Sequence, residues 1–385
     1  MFTINTYNKI TNAGLDLFDK SKYTITDVYD NPDLIMVQSA PLHDLEFKDN
    51  LKAVIRVGAG FNTIPVEKLT KLGVAIFNTP GANANAVKEL VVSAMITVTR
   101  KAHLASKWAH ELECLDYGKD VEKAKEIFRG SEIYGKKVGI IGLGHVGFLV
   151  ARALHALGMD CMGYDPYLNK EQKDNVKSYV KLVDSLDSLY EDNDYITVHT
   201  PFNDETKNLI DKDAISKMKQ GVFIINYARG QVVSNSGLVE ALKSGKVAGY
   251  ATDFPTKEQI VFENVYATPH LGAATFEAKE NCDNMGAREA IDYLENGNTM
   301  NSVNLPNISF ARGEGSRITI IHDNVPGMLG FITEKVSKNN FNIENLLNSA
   351  KGDIAYTILD FHITVPDDLK KEIESIPHVI KVRIL

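Results

Sequence analysis

Residues 136–165 read KKVGIIGLGHVGFLVARALHALGMDCMGYD, and few local structures accept that order of side chains. Val138, Gly139, Ile140 and Ile141 form a short apolar run rich in β-branched residues, which stops at glycines spaced as Gly142, Gly144 and Gly147. Apolar residues then recur at spacings of three and four, at Val146, Leu149, Val150, Ala153, Leu154 and Leu157, up to a terminator at Gly158. The pattern predicts a strand, a tight turn and a helix.

In such a turn the first glycine lets the chain leave the strand sharply. The second lets the backbone approach a pyrophosphate, and the third lets helix and strand pack closely. The free N–H groups and positive end of the new helix then face the diphosphate. A second apolar run over 161–164 closes at Asp165, 18 residues beyond Gly147. A carboxylate there suits the 2′- and 3′-hydroxyls of an adenosine ribose and repels a 2′-phosphate, so NAD is expected over NADP. Glycine spacing alone also fits a turn that binds nothing. With strand, helix and acid all in place, Gly142, Gly144, His145, Val146, Gly147 and Asp165 are assigned to the dinucleotide.

A chain of 385 residues, 44% hydrophobic and 24% charged, suggests two or three globular domains. The net charge of -8 and the lack of any Lys/Arg block argue against a sequence-independent grip on nucleic acid or on an anionic membrane. Cys114, Cys161 and Cys282 are few, odd in number and far apart, so neither a disulfide framework nor a metal site is expected. The opening MFTINTYNKI lacks the apolar core of a signal peptide, and the longest apolar run, 90–98, is too short to span a bilayer. The expectation is a soluble, cytoplasmic protein.

Before the glycine turn, short apolar runs over 34–37, 53–57 and 74–77 alternate with helical patterns such as 66–72, which predicts a small α/β domain over 1–95. Ligands in open α/β sheets sit beyond the carboxyl ends of strands. Two turns lie there, one around Arg56, Val57 and Gly58 and one running from Asn78 to Asn83. Two readings stand side by side: the turns hold an anionic substrate, or they are simple turns and Arg56 is a solvated charge. A helix over 86–100 leads toward the nucleotide domain, placed at 96–282. The charged stretch 101–129, with the single tryptophan Trp108, reads as solvated helix.

Further strands are predicted over 195–199, 222–226, 248–251 and 265–267, giving a doubly wound sheet. Their ends carry His199-Thr200-Pro201, Ala228-Arg229, Asp253 and Pro269-His270. If a nicotinamide is to exchange hydride with a secondary alcohol, a group must take the hydroxyl proton and another must anchor the substrate's negative end. Histidine suits the first task and the planar guanidinium of arginine the second. Taken singly, His270 reads as a turn residue and Arg229 as a cap or ion pair. Together with Asp253 and Glu258 at the strand ends of one dinucleotide domain they make a candidate catalytic set.

The blocks GLGHVG with Asp165, HTP, NYARG and TPHLGAAT resemble, in order and spacing over about 51–305, the signatures of the D-isomer-specific 2-hydroxyacid dehydrogenases. The resemblance implies that Arg229 binds substrate carboxylate and carbonyl oxygen and that His270 is the acid/base. It implies that Glu258, with Glu263 as fallback, completes the relay, and that Asp253 contacts the nicotinamide carboxamide. His199, Thr200, Pro201 and Ala228 then line the cofactor, and Arg56, Val57, Gly58, Asn78 and Asn83 the substrate. Three segments depart from the family pattern: Ser234-Asn235 replaces the usual acidic pair, residues 253–258 have an unusual composition, and Asn62-Thr63 stands where Asp-Asn is common.

A helix over 276–295 is expected to return the chain to the first domain, completed by about 283–305, before a linker at 306–316. Residues 317–385 show a βαββαβ pattern, with strands over 317–322, 342–349, 355–365 and 379–384, that resembles a ferredoxin-like ACT module. His322, Asn324 and Asn342 resemble serine-binding positions of such modules; a module that only dimerises is the plainer reading. A serine sensor on a dehydrogenase of this family implies oxidation of 3-phospho-D-glycerate to 3-phosphooxypyruvate, the step that commits carbon to L-serine, in a homodimer or homotetramer. The alternatives are a reductase of another 2-oxo acid, such as hydroxypyruvate, glyoxylate or 2-oxoglutarate, and an NAD-sensing scaffold similar to corepressors of the same fold.

Overall fold

Five short strands open the chain: β1 (Phe2–Tyr7), β2 (Tyr23–Thr26), β3 (Leu34–Val37), β4 (Ala53–Arg56) and β5 (Ala75–Asn78). All pair in parallel, in the order β2-β1-β3-β4-β5, which is the flavodoxin-like arrangement. The LIMV of β3 is buried at every position, as a parallel strand covered on both faces must be. β1 and β2 were not foreseen. Their FTINTY and YTIT mix threonine and asparagine into the run, so neither shows an unbroken apolar signal.

Seven parallel strands follow: β6 (Lys137–Ile141), β7 (Asp160–Tyr164), β8 (Lys181–Leu182), β9 (Tyr195–Val198), β10 (Val222–Asn226), β11 (Val247–Thr252) and β12 (Val265–Ala267). Their order, β12-β11-β10-β9-β6-β7-β8, is the dinucleotide-binding 3-2-1-4-5-6 order with one further strand. The sheet order reverses at β6, and the glycine turn leaves that strand at its carboxyl end. The last four strands are β13 (Arg317–Asp323), β14 (Asn345–Lys351), β15 (Ile354–Asp360) and β16 (Val379–Ile384). They form an antiparallel sheet ordered β14-β15-β13-β16, with helices Met328–Lys338 and Asp367–Glu374 on one face.

The computed structural model describes residues 1–111 and 117–385, so Cys114 lies outside the described residues. Two compact units emerge, 84–278 and the pair of segments 1–83 with 279–385. The expected boundary near residue 95 therefore moves to 83/84. The reason is the helix Ala84–Thr99, whose Val91, Ala94, Met95 and Val98 share a core with Val138, Ile140, Val150 and Leu154. The helix is not a connector but a wall of the nucleotide unit. Among the described residues no helix is long and apolar enough to cross a membrane.

A second correction concerns the linker and the C-terminal module. The first half of the expected linker 306–316 is packed, while 311–315 are exposed: Ile308 is buried, Thr299 N–H donates to the Ile308 carbonyl at 2.9 Å, and Phe310 N–H to Asn298 Oδ1 at 2.9 Å. The helix-free face of the C-terminal sheet is not open either. Its Ile321, Tyr356 and Ile358 belong to the same core as Ile4, Phe77, Tyr293 and Leu305. That face also closes the end of the helix Phe276–Asn296, whose last carbonyls have no partner within the helix. Arg383 donates to the carbonyls of Tyr293 and Leu294, with its guanidinium 4.4 Å from the Tyr293 ring centroid. Arg317, 0% exposed, donates to the carbonyls of Asn296, Phe310 and Ala311 and forms a bidentate pair with Asp360 at 2.6 and 2.8 Å. Cationic groups at a helix C-terminus also complement its dipole.

Two stability predictions follow from this unit. Replacing one member of a buried ion pair costs about 3–5 kcal/mol, so Arg317→Met lowers the unfolding free energy by that amount. Because Arg317 also serves three carbonyls, Arg317→Met with Asp360→Leu remains destabilised in a denaturant titration; full recovery in the double variant would contradict the capping role. Glu289 is held by Asn301 Nδ2 at 2.8 Å, and burial pushes its carboxyl up to about 8 from an ordinary 4.5. Below 4.5 both states hold the proton; between 4.5 and about 8 only the folded state does, so stability falls as pH rises through that window and levels off above it. Glu289→Gln removes this slope, and thermal melts at pH 5 and pH 8 show it as a gain that widens with pH.

Candidate active site

The dinucleotide turn has the shape its glycines predict. Gly142 lies at φ +86°, and a Cβ on Gly147 would stand 1.9 Å from the Gly142 carbonyl oxygen, so neither tolerates a side chain. At Gly144 a Cβ would meet nothing within 4 Å, which is the open side a diphosphate needs. Gly144 opens the helix His145–Ala156, with no side chain capping it, so the first N–H groups, including those of His145 and Val146, point to whatever lies beyond the turn. At the end of β7, Asp165 accepts from Leu143 N–H at 2.8 Å and from Tyr167 N–H at 3.0 Å. Each of its oxygens keeps a second lone pair for a ribose hydroxyl.

Opposite β7, the end of β9 supplies His199, Thr200 and Pro201. The His199 ring exchanges a hydrogen bond with Thr197 Oγ1 at 2.9 Å, and desolvation pushes its pKa down to about 3. Burial thus favours its neutral form. The buried Thr200 Oγ1 has no hydrogen-bond partner in the protein, an orphaned polar group beside the glycine turn of the kind a bound molecule satisfies. Loop, acid and orphaned hydroxyl together fit NAD; Gly144, His145 and Val146 would hold its diphosphate and Asp165 its ribose.

Arg229 leaves β10 in extended backbone at φ -149°. Its position depends on Asn226, fully buried, whose amide accepts from Ala228 N–H at 3.1 Å and donates to the Arg229 carbonyl at 2.9 Å. The guanidinium donates to the Ala228 carbonyl at 2.7 Å and is half-buried, which lowers its pKa without removing its charge. The planar guanidinium keeps further N–H donors to pair with a carboxylate.

His270 is exposed and takes a left-handed backbone, φ +52°. A non-glycine residue there costs about 1–3 kcal/mol and persists only where its surroundings demand it. Asp253, 2% exposed, makes the demand: its carboxylate accepts from Thr268 Oγ1 at 2.6 Å, Leu271 N–H at 2.7 Å and Gly272 N–H at 2.6 Å, and its carbonyl accepts from His270 N–H at 3.1 Å. Hydrogen bonds to a charged group contribute about 1.5–3 kcal/mol each, enough in sum to hold the strained turn. Sequence reading assigned Asp253 to the cofactor; in the structure its contacts are with the turn that carries His270.

The expected Glu258–His270 relay is not formed. Glu258 is exposed and accepts from Asn235 Nδ2 at 3.4 Å, and hydrogen bonds from its own amide, Thr256 and Asn235 lower its pKa. Among the described residues the His270 ring has no carboxylate partner; it lies on the Phe254 ring, centroids 4.7 Å apart. The fallback, Glu263, is exposed, and its carbonyl is hydrogen-bonded to the His103 ring at 3.0 Å. Phe254, Asn235 and Asn226 were the residues missed: an aromatic beside an aspartate and two asparagines carry no catalytic signal of their own.

In the first unit, β4 and β5 end side by side. Arg56 folds back over its own turn, where Gly58 at φ +147° leaves room: a Cβ there would stand 1.3 Å from Arg56 Nη1. Asn78 Nδ2 donates to the Ala59 carbonyl at 2.6 Å and Thr79 N–H to the Gly58 carbonyl at 3.1 Å, so the Arg56–Val57–Gly58 and Asn78 turns are joined. Asn83, half-buried, ends the second turn. In the C-terminal module, His322 is not available to an effector. It is 2% exposed, with its ring nitrogens 2.8 Å from the Asp323 carbonyl and 2.9 Å from Thr357 Oγ1. Asn324 binds the Gly352 carbonyl at 3.1 Å, and both it and Asn342 are exposed.

The sheet order, the glycine turn and the acid at the end of β7 define an NAD-dependent dehydrogenase. Residues 92–272 match the D-isomer specific 2-hydroxyacid dehydrogenase, NAD binding domain model. The chain is similar to D-3-phosphoglycerate dehydrogenase of Haemophilus influenzae, 32% identical over 95% of this chain and 89% of the relative. It is also similar to that of Escherichia coli K12, 32% identical over 85% of this chain and 79% of the relative. Its fold matches the NAD-bound 3-phosphoglycerate dehydrogenase of Entamoeba histolytica, with a TM-score of 0.63 and 24% identity over 79% of this chain and 98% of that one. The chain belongs to the D-isomer specific 2-hydroxyacid dehydrogenase family.

Asp165→Ala removes both the ribose acceptor and the anchor of the Leu143 amide. Dissociation constants from fluorescence titration are expected to rise about tenfold for NADH, about 1.4 kcal/mol, and to change less for NADPH. An unchanged ratio of the two would contradict the role given to the acid.

Proposed function

We propose that the chain oxidises 3-phospho-D-glycerate with NAD to 3-phosphooxypyruvate and NADH. The observation that carries this reading is the placement of Arg229 and His270 against one ring, Phe254, in the nucleotide unit, on a chain aligned over 95% of its length with a relative named for that substrate. Bound NAD supplies the hydride acceptor. Arg229 takes the substrate carboxylate in its planar fork, and its partial burial strengthens that pairing. His270 takes the hydroxyl proton as the C2–H bond breaks, and returns it in the reverse direction. In the first unit, Arg56 and the Asn78–Asn83 turn are the candidate anion-binding elements. The C-terminal βαββαβ sheet supports an ACT reading by its strand order, and the exposed Asn342 remains its candidate effector contact, while the enclosed His322 does not.

The reading is tested by NADH-linked turnover of 3-phosphooxypyruvate against unphosphorylated hydroxypyruvate, each with and without millimolar L-serine. A preference of at least about tenfold in kcat/KM for the phosphorylated acid supports the substrate. Preference for hydroxypyruvate, glyoxylate or 2-oxoglutarate would replace it with another 2-oxo acid. Suppression by serine that Asn342→Ala abolishes, with turnover intact, supports the effector site; no suppression leaves the module an assembly and capping element.

A further inference from the structure

Phe254 stands between the two residues on which the proposed reaction rests. Its ring centroid is 4.7 Å from that of His270, with planes tilted by 50°, and 5.9 Å from the Arg229 guanidinium carbon. The backbone of Phe254 is held in place. Its N–H donates to Thr252 Oγ1 at 3.0 Å, and it follows directly on Asp253, which pins the His270 turn. Gly230, the glycine after Arg229, leaves the space: a Cβ there would lie 3.2 Å from the Phe254 Cβ.

The turn beyond Phe254 is anchored by Asn235. Its Oδ1 accepts from Thr256 Oγ1 at 3.0 Å and from Gln259 Nε2 at 2.9 Å, and Gln259, 3% exposed, closes the loop by accepting from Thr256 N–H at 3.1 Å. Two segments that depart from the family pattern, Ser234-Asn235 and 253–258, therefore meet each other in space. They form an uncharged knot, and they turn Glu258 toward Asn235.

We propose that Phe254 is a positioning residue of this enzyme, holding the His270 imidazole and the Arg229 guanidinium through its π face where a carboxylate partner for the imidazole was expected. The inference rests on the roles given to His270 and Arg229 above. An aromatic face carries negative charge density and favours a cation beside it, so the ring supports the imidazolium that forms when His270 has taken the proton. The charged groups on the elements around the imidazole are Arg229 at the end of β10 and Asp253 at the end of β11; Lys257 and Glu258 lie on the turn that carries Phe254.

The test compares wild type with Phe254→Leu, Phe254→Tyr and Asn235→Ala, using His270→Asn as reference and NADH binding as the check on folding. Phe254→Leu is expected to lower kcat about tenfold or more with the KM for NAD unchanged. Phe254→Tyr keeps kcat near wild type, and Asn235→Ala lowers it by less than Phe254→Leu does, again with the KM for NAD unchanged. Wild-type kcat in Phe254→Leu, with His270→Asn inactive, would overturn the role of Phe254 alone. Turnover retained in His270→Asn would overturn the reading beneath it. Should Phe254→Leu fail to bind NADH, Asn235→Ala carries the decision by the same split of kcat from KM.

Discussion

The carboxylate of Asp253 leaves solvent to accept three hydrogen bonds from Thr268, Leu271 and Gly272, and with its own carbonyl it receives a fourth from His270. Those bonds hold a histidine in a backbone conformation that it would abandon in a free peptide. Everything the site can do follows from that placement. An imidazole on a relaxed turn would sample many positions, whereas a pinned one meets the Phe254 ring at a single tilt. The same physical theme recurs at Arg229, where the buried Asn226 amide ties both ends of the turn that presents the guanidinium. The backbone of each catalytic candidate is placed by a buried polar neighbour, before its side chain makes any contact.

Much of this was legible in the order of residues, and the reasons are specific. The glycine turn was readable because φ above zero at Gly142 and the contact of Gly147 with the Gly142 carbonyl exclude any side chain. Strands β3 and β10 were readable because buried parallel strands are continuous apolar runs. β1, β2 and the two-residue β8 lacked that signal. The helix Ala84–Thr99 was seen but assigned to the wrong unit, because an apolar stripe states that a face is buried without stating against what. In the site, residue types with strong chemistry were found, and the residues that aim them were not. Glu258 was placed by spacing, and spacing cannot show that Asn235 lies nearer to it than His270 does.

The knot of Asn235, Thr256 and Gln259 shows how departures from a family pattern can be mutually consistent. Exchanging an acidic pair for Ser234-Asn235 removes charge from one segment, and residues 254–259 supply a hydroxyl and an amide that match the amide now present. An uncharged knot can be buried with its hydrogen bonds satisfied, at none of the desolvation cost that a lone carboxylate would carry. The turn is thereby held without any group that titrates near neutral pH.

The grip of Arg317 and Arg383 on the carbonyls ending the helix Phe276–Asn296 bears on how such a chain can be cut and recombined. By its sequence pattern the C-terminal module looks detachable, an appendix after a polar segment. Excision at residue 316 would instead expose the apolar surface around Phe77 and Tyr293, which Ile321, Tyr356 and Ile358 now cover, and would strip a helix end of its donors. A module so joined is part of its host's core, and a graft of it onto another chain would have to carry both sides of that contact together.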